Sequence, residues 1–113
     1  MDKKFINTVY EMIVGIIAAD GLLVADEVIE AERVGNIYLK EFILSDFRKY
    51  ISNLDTAPNF FQCARSLNDL DDGKKMDIYR LLEAVAKGDA ELADEEVFLL
   101  DKLASSDFWN LNL

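Results

Sequence analysis

The segment Thr8–Val34 comes back 69 positions later (89 − 20) as Asp77–Leu103, so one local design must be built twice. Tyr10 falls on Tyr79, Asp20 on Asp89, Leu23 on Leu92, Glu27 on Glu96 and Val28 on Val97. Between these identities the character holds: Val9 meets Ile78, Met12 meets Leu81, Ile13 meets Leu82 and Ile16 meets Val85. The repeated unit reads as an apolar helix, an acidic corner and a second helix. The expected product is a pseudo-twofold arrangement of two helix–corner–helix units.

Helical spacing runs through the chain. Phe5, Ile6, Val9, Tyr10, Ile13, Ile16 and Ile17 recur at steps of three and four, which predicts an amphipathic helix from about Lys3 to Ala19. Asp20-Gly21 ends it, because glycine accepts the left-handed backbone of a helix terminus. A second helix is predicted from about Ala25 to Phe42, with Asp26, Glu27 and Glu30 at its positively polarised start and a soft spot at Gly35-Asn36. Ser45-Asp46 reads as the cap of a third helix. Asp55-Thr56-Ala57-Pro58 reads as the start of a fourth, from Asn59 to about Leu67. Asn68–Gly73 reads as an acidic loop. The second unit follows as a helix from about Lys74 to Lys87, a corner over Gly88–Ala93, and a helix from about Asp94 to Leu103. Ser106-Asp107 reads as the cap of a final turn that holds Phe108, Trp109 and Leu111. Nothing alternates with period two for long enough to be a strand. The reading is all-α: a compact single-domain bundle of about six to seven helices over residues 1–113.

Composition limits the function classes. Half of the 113 residues are apolar, which is enough for one core, and the single Cys63 cannot form an internal disulfide. Lys3-Lys4 ahead of Met12–Ala19 superficially resembles a signal peptide, but Glu11 interrupts the apolar stretch and cleavage after the alanines would destroy the first unit. No segment approaches the ~20 apolar residues of a membrane span. A cytoplasmic location is expected. The net charge of −10 repels nucleic-acid backbones and anionic membranes. Cations or a protein partner with a basic surface are the expected ligands.

The corners are where the acidity is patterned. In each unit an aspartate ends one helix, an apolar residue follows three positions later, and a glutamate comes seven later. One use is structural: Asp20 and Asp89 accept backbone N–H bonds, Leu23 and Leu92 plug the corners, and Glu27 and Glu96 sit in a first helical turn. The other is a site in which Asp20, Glu27, Asp89 and Glu96 hold a divalent cation, since converging carboxylates repel without one. The spacing allows both.

The motif Ala19-Asp20-Gly21-x-Leu23-x-x-x-Glu27, its partner Asp89-x-x-Leu92-x-x-x-Glu96 and the all-helical spacing resemble the TerB-like domains of tellurite-resistance and related stress proteins. The likeness covers nearly the whole chain and is strongest over Ala84–Leu103. It implies a bundle of about seven helices with internal pseudo-symmetry, and a stress-response or defence-associated module without catalytic activity of its own. It also implies a divalent-cation role, calcium or magnesium, for Asp20, Glu27, Asp89 and Glu96. Ala90 stands where the family has glycine, and Val24 and Ala93 stand where a small polar N-cap is usual.

Other chemistries find less support. Asn68–Gly73 fails as an EF-hand loop, because Leu70 takes a ligand position and Tyr79 stands where the twelfth-position glutamate belongs. There is no histidine, which removes the usual general base and zinc ligand. Cys63 lies on an apolar helix face and reads as packed. No phosphate-cradling glycine loop is present, so an enzyme is not expected. Core packing is the default for Phe60, Phe61, Phe108 and Trp109, with one of the phenylalanine pair, or the C-terminal aromatics, as a partner surface. The alternative to the cation-binding module is an acidic interaction protein with no metal site, acting as an inhibitor or a mimic of nucleic-acid charge.

Overall fold

In a computed structural model, which describes residues 3–19, 25–54, 58–88 and 93–113, the predicted periodicities become six helices. They are α1 (Lys3–Ile17), α2 (Ala25–Tyr38), α3 (Leu44–Ser52), α4 (Phe60–Ser66), α5 (Asp72–Ala86) and α6 (Asp94–Ala104). No strand occurs among the described residues. The radius of gyration is 12.7 Å, close to the ~13 Å of a well-packed chain of this length. No helix among the described residues is long and apolar enough to cross a membrane.

The 69-residue offset reaches the helix boundaries: α5 begins 69 residues after α1 (72 − 3) and ends 69 after it (86 − 17). The start of α6 lies at the same offset from that of α2 (94 − 25). Burial follows. Lys75, Ile78, Tyr79, Leu81, Leu82, Val85 and Ala86 of α5 are buried, and so are their counterparts Ile6, Val9, Tyr10, Met12, Ile13, Ile16 and Ile17 in α1. In α6 the buried positions Glu96, Leu100 and Leu103 match Glu27, Ala31 and Val34 of α2.

α1 and α5 form the centre of the core, with α2 laid along α5 and α4 along α1. The ring of Tyr10 packs edge-on to Phe42 at 5.5 Å and against Phe47. Its hydroxyl accepts from the Ile43 N–H at 3.1 Å and donates to the Ile43 carbonyl at 3.4 Å, which fixes the α2–α3 connection. At the other end Trp109 is buried, and its Nε1–H donates to the Ala64 carbonyl at 3.0 Å. Asn110 turns the chain there with φ at 50°, a left-handed conformation that asparagine tolerates.

Several boundaries differ from the sequence reading. α2 stops at Tyr38 rather than Phe42, because Phe42 folds back under Gly35. α3 starts behind Ile43, which offers no side-chain cap, so Ser45-Asp46 falls inside the helix. α4 is capped by Asn59, whose side chain accepts from the Gln62 N–H at 3.1 Å, so Pro58 precedes the cap; Asp55, Thr56 and Ala57 lie outside the described residues. Asp71 caps α5 by accepting from the Lys74 N–H at 2.7 Å, so the acidic loop ends two residues earlier than read. At the C-terminus Ser105, rather than Ser106-Asp107, organises the turn, its hydroxyl donating to the Lys102 carbonyl. Phe108 and Trp109 pack there, as read.

The short α2–α3 connection is also tied to α5 by Lys74, whose ammonium lies 3.0 and 3.1 Å from the Glu41 carboxylate oxygens. Partial burial pushes the Glu41 pKa up, but the Lys74 bond, its own backbone N–H and the Lys74 and Lys40 charges together bring it below the ordinary 4.5. A depressed carboxylate stabilises the fold fully above its unfolded pKa and loses that contribution as pH falls through its folded pKa. Glu41→Gln is therefore expected to cost about 1 kcal/mol at pH 7. In urea melts across pH, the gap between wild type and variant should close below pH 4.5.

Candidate acidic corners

Each corner begins where an apolar helix ends and finishes in the first turn of the next helix. Asp20, Gly21, Leu23 and Val24 of the first corner, and Asp89, Ala90 and Leu92 of the second, lie outside the described residues. Glu27 and Glu96 lie within them. Glu27 is 3% exposed and Glu96 4%, and they are the only buried carboxylates among the described residues. Glutamate at the third position of a helix is usually a surface group. Here both are drawn inward.

Glu96 shows what holds it. Its Oε1 accepts from the Ala93 N–H at 3.0 Å, the reciprocal half of a capping box. Ala93 has no side-chain acceptor to supply the other half, so the first-turn amides lose that partner. The second carboxylate oxygen, Oε2, is buried and has no hydrogen-bond partner among the described residues. A buried carboxylate oxygen in that state carries a desolvation cost with nothing to offset it.

The ends of the first helices cross to the opposite unit. A Cβ on Gly88, just beyond α5, would stand 2.8 Å from the Cβ of Glu30 on α2. Ala19, just beyond α1, lines a groove with Asp94, Glu95, Phe98 and Leu99 of α6. Gly88 and Ala19 are 69 residues apart, as are Glu30 and Leu99. No Cα of α2 comes within 8 Å of one of α6, so the backbones carrying Glu27 and Glu96 are not in close apposition. Among the described residues no group of three or more Asp, Glu, Cys or His side chains is placed to hold a metal ion.

The remaining reactive group is inert. Cys63 is buried, and burial, followed by the neighbouring Glu11 carboxylate, pushes its thiol up to about 12. Glu11 in turn accepts from the Asn59 N–H at 2.9 Å and so helps to start α4.

The sequence reading missed Phe98. Val97-Phe98-Leu99-Leu100 is a run of four apolar residues on one helix, and such a run cannot all face the core. Leu100 does, and Phe98 is 61% exposed. The run itself was the available signal. No family model, curated protein or solved structure matches the chain.

Proposed function

We propose that this chain is a non-catalytic helical binding module of the TerB-like kind, whose acidic corners take up a divalent cation, calcium or magnesium, and whose surface meets a protein partner. The observation that carries the reading is the Oε2 of Glu96, buried and without a hydrogen-bond partner among the described residues. A hard cation is the ligand that such an oxygen suits, and it would offset the carboxylate's desolvation. Asp89 of the same motif would join Glu96, and Asp20 would join Glu27. The recurrence of burial at the 69-residue offset supports treating them as equivalent. The absence of histidine from the chain and the inert Cys63 favour binding over catalysis. By its resemblance the module would serve a stress or defence response in the cytoplasm.

A second reading, an acidic interaction protein with no metal site, draws on the net charge of −10. A thermal-shift titration separates the two. After chelation, calcium or magnesium at a hundredfold excess over Kd should stabilise the wild type by about 2.7 kcal/mol, or roughly 10 °C, for each corner that is filled. Glu96→Gln keeps an acceptor for the Ala93 N–H and removes the buried charge, so it should melt near the wild type without metal and lose the part of the shift that its own corner contributes. The Asp20→Asn, Asp89→Asn double variant should lose the shift at both corners. A wild type that fails to respond to either ion rejects the metal site and leaves the acidic interaction protein.

A further inference from the structure

We propose that the groove between the end of α1 and the first turns of α6 docks a basic, apolar peptide segment of a protein partner. The groove measures about 370 Å³ and is lined by Ala19, Asp94, Glu95, Phe98 and Leu99. That is the low end of volumes for small-molecule sites, and this groove is open along one side, a shape that suits side chains of a peptide. Phe98 is mostly exposed although it belongs to an aromatic strip. Its ring stands edge-on to Phe61 at 6.3 Å, Phe61 stacks on Phe108 at 4.9 Å, and the Arg65 guanidinium lies 5.2 Å above Phe108. The apolar floor of the groove thus continues across α4 to the C-terminal turn.

Charge selects the occupant. Asp94 and Glu95 are exposed at the groove, and among the described residues neither has an ion-pair partner. The one basic side chain on α6, Lys102, is held by Asp107 at 2.7 Å. Two uncompensated carboxylates beside an exposed phenylalanine ask for a lysine or arginine next to a large apolar side chain. Nucleic acid and anionic lipid are repelled by the same carboxylates and by the net charge of −10. The groove is lined by exposed Asp94 and Glu95 and not by buried Glu96, so docking there uses other side chains than the cation site and goes beyond it.

The test selects a random dodecamer peptide library on the whole protein in the presence of chelator. The winning peptide is then synthesised and its Kd measured by fluorescence anisotropy at two salt concentrations. Enriched sequences should pair lysine or arginine with leucine, phenylalanine or tryptophan. Phe98→Ala should weaken binding roughly tenfold or more, with little change in melting temperature, because the ring is largely in solvent. The Asp94→Asn, Glu95→Gln double variant should also weaken binding and flatten its salt dependence. Ile37→Ser, on exposed α2 surface, should bind as wild type. No enriched sequence, an enriched sequence without basic residues, or Phe98→Ala binding as wild type would overturn the proposal. So would a sedimenting dimer that Phe98→Ala abolishes, since the occupant would then be a second copy of the chain. Working in chelator keeps this result separate from that of the cation titration.

Discussion

Trp109→Ala is expected to lower the melting temperature by roughly 10–20 °C. The residue follows the last helix in a terminal turn, where truncations are often silent. Here the turn is part of the core. The indole is 3% exposed, so alanine leaves a large cavity whose usual cost is about 3–5 kcal/mol. The Ala64 carbonyl also loses its 3.0 Å donor inside the protein. Three backbone bonds hold the turn onto the end of α6: Trp109 N–H to the Leu103 carbonyl, Asn110 N–H to Ser105 and Leu111 N–H to Ala104. Trp109→Phe helps to separate the contributions, because it keeps an aromatic ring in the core while deleting the indole donor and part of the bicycle's volume. It should recover more than half of the loss. If Trp109→Ala melts within 3 °C of wild type in calorimetry, the C-terminal turn is not an integral part of the core.

Gly35→Val should cost about 3 kcal/mol despite raising intrinsic helix propensity. A Cβ at Gly35 would stand 2.6 Å from three ring carbons of Phe42, a distance at which something must move. Phe42 has little freedom to do so, because its ring packs against both Tyr10 and Phe47 at 5.5 and 5.2 Å. Gly35→Ala should cost about 2 kcal/mol for the same reason. Phe42→Leu shortens the obstructing side chain. Combined with Gly35→Ala it should destabilise less than the sum of the single changes, with a favourable coupling of about 1 kcal/mol or more. Strict additivity in urea denaturation would place the strain elsewhere.

Periodic apolar spacing made the two long core helices and their partners legible, because α1 and α5 bury the positions that fall at steps of three and four. The boundaries were less legible where long-range packing sets them. Nothing local says that Phe42 will tuck beneath Gly35, so the apolar run through Leu39 and Phe42 reads as more helix. The Tyr10 hydroxyl bonds Ile43 from a different helix, and that partner begins α3 without the side-chain cap that Ser45 and Asp46 advertise. In the opposite direction, Asp71 and Asp72 look like solvated loop until Asp71 is seen capping the Lys74 amide. Glu27 and Glu96 were picked out by spacing, but spacing could not show that they are buried, since a first-turn glutamate on the surface has the same sequence signature. Phe98 was overlooked because a helical apolar pattern counts toward the core until neighbouring residues show which side is already filled.

The most direct test of the cation proposal is a crystal structure of the protein grown with calcium, with the ion located by its anomalous signal. A calcium ion is expected ~2.4 Å from Glu96 Oε2, with Asp89 beside it and an equivalent ion at Glu27. A Glu96 Oε2 bonded instead to a backbone amide or a water, with no anomalous peak at either corner, would contradict it.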